Sequence, residues 1–112
     1  MSKTIADIIP INGGLAQFQK LDYGMDEGDW RVADGANSNF GVGMWEGKPG
    51  QVDFPAMPYA EACWIIEGRI ALCDEQGGRK EFEAGQGYLL PKGFSGRWIT
   101  LADAKKFYVT LE

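Results

Sequence analysis

The sequence predicts an all-β fold, a barrel or sandwich of short strands. Its 112 residues contain 16 glycines and 5 prolines, so turns are frequent, which suits many short strands better than a few helices. After residue 20, no window of helical length shows apolar residues repeating with a 3.6-residue period. Instead, about eight runs with strand composition follow one another between glycine- and proline-containing turns, as in barrels and sandwiches.

The elements are expected in the following order. Residues 1–20 form a short arm with one strand, the acidic residues 22–29 form a solvated loop, Trp30–Ala33 is a strand, and residues 34–39 are turn. Barrel strands are predicted at Phe40–Glu46, Gln51–Phe54, Ala60–Glu67, Arg69–Asp74, Arg79–Glu83, Gly87–Leu90, Gly96–Leu101 and Lys106–Leu111. We expect one domain over residues 1–112, with 1–35 as arm and loops and about 40–111 as the barrel.

The segment Ala60–Asp74 is predicted to be a hairpin with Glu67 and Gly68 as a two-residue turn. Both faces of such a hairpin are apolar, so the outer face must be covered by a second sheet, by the arm or by a partner subunit. In this register Cys63 and Cys73 lie on opposite faces, and no disulfide is expected. A three-residue loop centred on Gly68 would instead bring the two cysteines opposite each other.

Charge and composition exclude several classes of function. The net charge is −5, which provides no basic footprint for nucleic acid. No apolar run is long enough for a transmembrane helix, and the N-terminus lacks the features of a signal peptide, so we expect a cytoplasmic protein without membrane or nucleic-acid partners. Histidine is absent, which excludes histidine-dependent triads and metal sites with histidine ligands.

Four motifs recur here in the order and spacing of one family. They are Gly43-Met44-Trp45, Ile66-Glu67-Gly68-Arg69, Ala84-Gly85-Gln86 and residues 91–98, Pro-Lys-Gly-Phe-Ser-Gly-Arg-Trp. With Glu61, they resemble the small single-domain cupins of the DUF861 (cupin type 3) group, which includes the cupin domain of ureidoglycine aminohydrolase and the ethanolamine-utilization cupins. This resemblance implies a cupin double-stranded β-helix, a jelly-roll-like barrel, with a short N-terminal arm.

The metal site of the cupins is not carried over. The motif's three histidines fall at Pro55, Met57 and Gly96, and of the usual ligands only Glu61 remains. Since first-row metals at such sites prefer imidazole, one carboxylate holds them weakly. We therefore expect neither a metal nor another cofactor. A rebuilt oxygen site that includes Asp53 or Glu67 is the open alternative.

The resemblance also implies which side chains line the barrel. If Glu61 points inward as in cupins, strand alternation places Met57, Tyr59 and Cys63 on the same face. Trp98 is expected to face them across the barrel, together with Trp45. The sequence thus predicts an aromatic cavity with one carboxylate, in which the predicted ligand-binding residues are Trp45, Met57, Cys63 and Trp98. Cys63 lacks a histidine base, so it is expected to be a buried small apolar residue rather than a nucleophile.

Two main functions remain open from the sequence. The first is binding of a small polar metabolite in the barrel without a metal. The second is a metal-independent enzyme acting on ureide or amine metabolites, with Glu61 as general acid/base of raised pKa and Tyr59 as hydrogen-bond donor. A structural interaction protein with a filled barrel is a third possibility. For Glu61 itself, the alternative to a functional role is a hydrogen-bonded relic. Arg97 and Lys92 are candidate counter-charges of Glu61, although Arg97 is out of phase with Trp98 and is expected to face outward. Trp64 on the outer face predicts a homodimer.

Overall fold

The all-β prediction is confirmed. The computed structural model describes residues 3–11, 19–21, 27–33 and 39–112. One turn of 3₁₀ helix, Ile5–Asp7, is followed by eight strands. The strands are β1 (Gln19–Leu21), β2 (Glu27–Ala33), β3 (Phe40–Gly47), β4 (Gly50–Phe54), β5 (Ala60–Asp74), β6 (Arg79–Glu83), β7 (Gly87–Leu90) and β8 (Gly96–Leu111).

Two long strands organise the barrel. β5 and β8 have 15 and 16 residues and pair with each other in antiparallel fashion along nearly their whole length. The first half of β8 also pairs with β4 and its second half with β3, while β5 pairs with β7 and then with β6. The sheet order β1-β2-β3-β8-β5-β6 therefore curls around one interior. The buried faces of β3, β5 and β8 form the wall of this interior.

The predicted hairpin at Ala60–Asp74 is wrong, because these residues form the single strand β5. Its pairing with β8 shifts register between Ile65 and Ile70, which marks a β-bulge. Gly68 lies inside the bulge with a φ of 80°, and its carbonyl accepts a hydrogen bond from the Ala84 amide. The chain therefore bends at the Glu67-Gly68 pair without reversing. Gly96–Leu111 was likewise expected as two strands and is one.

The faces of β5 nevertheless agree with the expectation. The bulge shifts the alternation by one residue, as the proposed turn would have done, so that one face carries Glu61, Cys63, Ile65, Ile70 and Leu72, all buried. Cys63 and Cys73 are both free thiols, as predicted.

The N-terminal part differs from the expectation at two places. The first is a 3₁₀ turn, capped by Thr4 and Asp7, in an arm for which only a strand was predicted. The predicted loop at residues 22–29 is wrong for its last three residues, because Glu27, Gly28 and Asp29 belong to β2. They form part of the strand because they pair with three residues of β3, namely Gly47, Glu46 and Trp45. The rest of that loop, residues 22–26, lies outside the described residues.

The outer face of the sheet exposes apolar side chains. Trp64 is 59% exposed, Ile66 46% and Leu89 69%. Backbone register places Phe107 opposite Trp64 and Val109 opposite Ala62, so the neighbouring positions of β8 share this face. A monomer rarely leaves a continuous apolar surface of this kind uncovered.

Candidate functional site

The barrel contains an open cavity of about 340 Å³. This volume lies at the small end of the range of ligand pockets in proteins. Aromatic and aliphatic side chains form most of its wall. The polar lining is concentrated in five charged residues and three tyrosines: Glu27, Asp29, Arg31, Glu61 and Lys106, with Tyr59, Tyr88 and Tyr108.

A buried ion pair crosses the cavity wall from β5 to β8. Nζ of Lys106 donates to Oε1 of Glu61 over 3.0 Å, and the two side chains are only 12% and 10% exposed. Burial raises the pKa of Glu61, but Lys106, the Cys63 thiol and Arg31 together outweigh burial and leave this pKa below its ordinary value. Burial has the opposite effect on Lys106 and lowers its pKa, but Tyr88, Cys63 and Glu61 around the ammonium hold that pKa well above the ordinary value. Both groups are therefore charged at neutral pH.

The ammonium of Lys106 also lies inside an aromatic box. It is 4.4 Å from the ring centroid of Trp98 and 5.5 Å from those of Trp45 and Tyr108. Ring faces attract a cation at these distances, most strongly where water is excluded. The two indoles meet edge to face, with centroids 5.2 Å apart. The box therefore fixes the lysine side chain in one place.

Cys63 contacts the ion pair but does not line the cavity. Its Sγ donates to Oε1 of Glu61 over 2.9 Å. Burial raises the pKa of the Cys63 thiol to about 12, so the thiolate is not formed at neutral pH. Cys63 therefore acts as a buried hydrogen-bond donor that orients the carboxylate.

β2 supplies a second polar row opposite β5. The hydroxyl of Tyr108 donates to both carboxylate oxygens of Asp29, at 2.8 and 2.9 Å. Burial raises the pKa of Asp29 above its ordinary value in spite of this hydrogen bond and of Lys106. Farther along β2, Arg31 donates to the Thr110 hydroxyl over 2.9 Å. The inner face of β2 thus presents alternating positions, Glu27, Asp29 and Arg31, to the cavity.

Glycines of β3 make room for these side chains. A Cβ atom at Gly41 would lie 2.5 Å from the Arg31 guanidinium, and one at Gly43 would lie 2.4 Å from the Tyr108 ring. A Cβ at Gly47 would lie 2.5 Å from the Trp45 ring. Such distances are too short for real contacts. Three inner positions of β3 therefore carry no side chain, which leaves room for Arg31, Tyr108 and Trp45 to lie across them.

The residues present do not fit the metal site of a typical cupin. By the spacing of the cupin motifs, the three histidine ligands are expected at Pro55, Met57 and Gly96, none of which has a nitrogen-bearing side chain. Among the residues that the structure describes, no three histidine, cysteine, aspartate or glutamate side chains are grouped so as to hold a metal ion. The remaining carboxylate, Glu61, is engaged by an ammonium rather than open to a cation.

The structure brings most of the proposed site residues together. Trp45, Met57, Tyr59, Glu61 and Trp98 all line the cavity, while Cys63 lies behind Glu61. Arg97 faces outward, as its phase relative to Trp98 predicted, and pairs with Asp53 over 2.7 Å. The counter-charge of Glu61 is neither Arg97 nor Lys92 but Lys106. The pKa of Glu61 is lowered, contrary to the expectation for an acid/base group.

Several cavity residues were missed from the sequence. In one continuous strand, Lys106 and Tyr108 lie on the same face as Trp98 and Thr100. The sequence would therefore have predicted them to face inward if residues 96–111 had been taken as a single strand. Glu27 and Asp29 carried no such signal, because their acidic, glycine-containing surroundings are typical of loops.

The comparisons with known proteins fit this architecture. A family model described as the EutQ-like cupin domain matches residues 34–108. The chain belongs to this family. The predicted resemblance to the DUF861 group is thereby confirmed.

Solved structures agree on the fold of this EutQ-like cupin. A Salmonella typhimurium structure named for ethanolamine utilization protein Q is 20% identical, with 98% of this chain and 90% of that chain covered and a TM-score of 0.82. The Clostridium difficile EutQ protein is 22% identical, covering 98% and 91%, with a TM-score of 0.74. A DUF861 family protein from Thermotoga maritima is 31% identical over 58% and 73%, with a TM-score of 0.55. The search of curated proteins found no match.

In the described part of the chain, no helix has the length and apolar character needed to cross a membrane.

Proposed function

We propose that this EutQ-like cupin binds a small polar metabolite inside its barrel and does so without a metal ion. The observation that carries the proposal is the cavity of about 340 Å³, which is lined mainly by aromatic and aliphatic side chains and by a few charged ones. Ligand pockets combine an apolar lining with a few placed polar groups in this way. The polar groups are pre-organised, because Glu61 is held by Lys106 and Asp29 by Tyr108. A cytoplasmic setting is part of the proposal and is supported by the free thiols of Cys63 and Cys73.

A cavity-filling variant tests ligand binding. Val52 lines the cavity, and Val52→Phe is expected to abolish binding of small polar probes such as acetamide, butylammonium and butyrate. Binding is measured by the fluorescence of Trp45 and Trp98 and by ligand-observed NMR. Val32→Phe adds the same volume on the outer face of β2, opposite Val42, and is the control. Absence of binding by every probe, or equal binding by both variants, would contradict the proposal.

The metal-free part of the proposal has its own measurement. Protein purified without a tag or chelator and titrated with Mn, Fe, Ni, Cu and Zn is expected to retain less than about a tenth of an equivalent by plasma mass spectrometry. Nearly one equivalent per chain would contradict it.

An enzyme that uses Glu61 as general acid/base is the less favoured alternative. Such a group works best with a pKa near the working pH, whereas Lys106 and Cys63 help to hold the pKa of Glu61 below its ordinary value. Tyr59 lines the cavity, but burial raises the pKa of its hydroxyl, which makes it a donor rather than a base.

We also propose that two copies associate through the outer sheet face, defined by Trp64, Ile66, Leu89, Phe107 and Val109. Stable dimers bury about 800 Å² per partner with an apolar centre. The apolar residues of this face lie on three adjacent strands, β7, β5 and β8. Its exposed tryptophan, Trp64, is the kind of residue that dominates binding at interfaces.

Trp64→Glu is expected to convert the dimer to monomer, because it places a charge at the centre of this face. Mass is measured by light scattering during size-exclusion chromatography across a dilution series. Ile5→Glu, in the arm, is the matched control, since Ile5 is 82% exposed and lies off the sheet. An unchanged mass for Trp64→Glu at all dilutions would refute this interface.

A further inference from the structure

Glu27 stands out because one of its carboxylate oxygens is buried without a partner. The residue is only 8% exposed and lines the barrel cavity. Its Oε1 accepts a hydrogen bond from Nε1 of Trp45 over 2.8 Å. Its Oε2 has no hydrogen-bond partner among the described residues. A buried carboxylate oxygen left in this state costs stability, so a group that satisfies it would be bound favourably.

The charges of the cavity leave an excess of carboxylate. Three acids, Glu27, Asp29 and Glu61, line the cavity with two cations, Lys106 and Arg31. Lys106 is engaged by Glu61, and Arg31 donates to Thr110. Among the described residues, neither cation forms an ion pair with Glu27, whose side chain instead accepts a hydrogen bond from the Trp45 indole. The missing partner of Oε2 is therefore a donor, and most favourably a cation.

The position of Glu27 defines the inner end of the site. Exposure rises along the inner face of β2, from the buried Glu27 through the partly buried Asp29 to the exposed Arg31. The Arg31 end of this row therefore lies nearer to solvent than the Glu27 end. A ligand that enters past Arg31 reaches Glu27 with its leading group, beside the Trp45 ring.

We propose that the ligand of this cavity carries an organic ammonium group, which Glu27 receives at the inner end of the barrel. The inference rests on the proposed function and narrows its ligand to small amines that are protonated at neutral pH. A divalent metal is not the cation, since the described acids and cysteines do not group in threes. The edge of the Trp45 ring adjoins the carboxylate, and Asp29 lies two residues along the same face to receive a further N–H.

The test uses three probes of similar size and different charge: butylammonium, 1-butanol and butyrate at pH 7. Binding is followed by tryptophan fluorescence and by NMR titration. Butylammonium is expected to bind best, since only it offers charged donors to Oε2. Glu27→Gln is expected to weaken butylammonium binding about tenfold or more, while binding of 1-butanol changes little. The Trp45 hydrogen bond is kept in this variant, because the glutamine side-chain oxygen accepts it as well.

Glu46→Gln is the matched control, because it removes the same charge from β3 on the opposite face of the sheet. Near-UV circular dichroism verifies that both variants fold. Equal binding of the three probes by the wild-type chain, or a Glu27→Gln variant that keeps the preference for butylammonium, would overturn the inference while the proposed function stands. Failure of all three probes, and of acetamide, would instead remove the proposed function on which the inference rests.

Discussion

Lys106→Met is expected to destabilise the protein by about 3–5 kcal/mol, the usual cost of removing one partner from a buried ion pair. The variant leaves the carboxylate of Glu61, a residue that is only 8% exposed, without its counter-charge. It also removes the cation from the aromatic box, in which the ammonium lies 4.4 Å from the Trp98 centroid. Urea unfolding at pH 7, followed by circular dichroism, measures the difference in the free energy of unfolding.

Lys105→Met is the control for this experiment. Lys105 is the preceding residue on β8 and points to the other face of the strand, so its loss should change stability by about 0.5 kcal/mol or less. The double variant Lys106→Met/Glu61→Leu should recover much of the lost stability, because no buried charge is left unpaired. If Lys106→Met were as stable as Lys105→Met, the buried pair would not contribute as described.

The pH dependence of the same pair has a definite sign. The pKa of Glu61 in the folded state is lowered from 4.5, so its stabilising contribution is full above that value and is lost as pH falls through the folded-state pKa. In Lys106→Met, burial without the ammonium raises this pKa, and the variant gains stability on acidification. The gap between wild type and variant should therefore narrow as pH falls from 7 toward 3, and a constant gap would contradict this assignment.

The fold was predictable because the residues of β5 that face the core are the same whether the chain turns or bulges at Gly68. A two-residue turn and a one-residue bulge both shift the inward positions from odd to even residues, so Ile65 and Ile70 face the core in either case. For the same reason, the pattern of apolar residues could not distinguish a hairpin of two short strands from the single strand β5. What separates them is the partner strand: β8 runs beside both halves of β5, and sequence alone does not give that pairing.

The candidate site was predictable only where alternation and family motifs applied. Tyr59 and Glu61 could be placed inward on those grounds. Lys106 could not be paired with Glu61, because the contact depends on the β5–β8 register between residues 45 positions apart. Glu27 and Asp29 were hidden by local composition, since only pairing with β3 draws these acidic residues into a strand.

Gly68→Ala is expected to destabilise the protein by about 3 kcal/mol or more. Two effects add at this position. The φ of 80° lies in the left-handed region, which costs a residue with a Cβ about 1–2 kcal/mol. The added Cβ would also lie 2.1 Å from the Asp103 carbonyl oxygen and 2.8 Å from Cα of Ala104. These are backbone atoms of β8, so relief requires the two central strands to move apart at the bulge, which costs about 1–3 kcal/mol more.

Gly77→Ala separates the two effects. Gly77 has a φ of 88°, but no atom lies within 4 Å of its added Cβ. This variant should lose only the conformational cost of about 1–2 kcal/mol, and thermal or urea unfolding of both variants gives the steric part by difference. Equal losses of unfolding free energy in the two variants would mean that β8 moves away at Asp103 at little cost, and that close packing does not fix the bulge. A larger loss for Gly68→Ala would identify the bulge as the point where β5 and β8 are held together tightly, and hence where the barrel turns from one half of its sheet to the other.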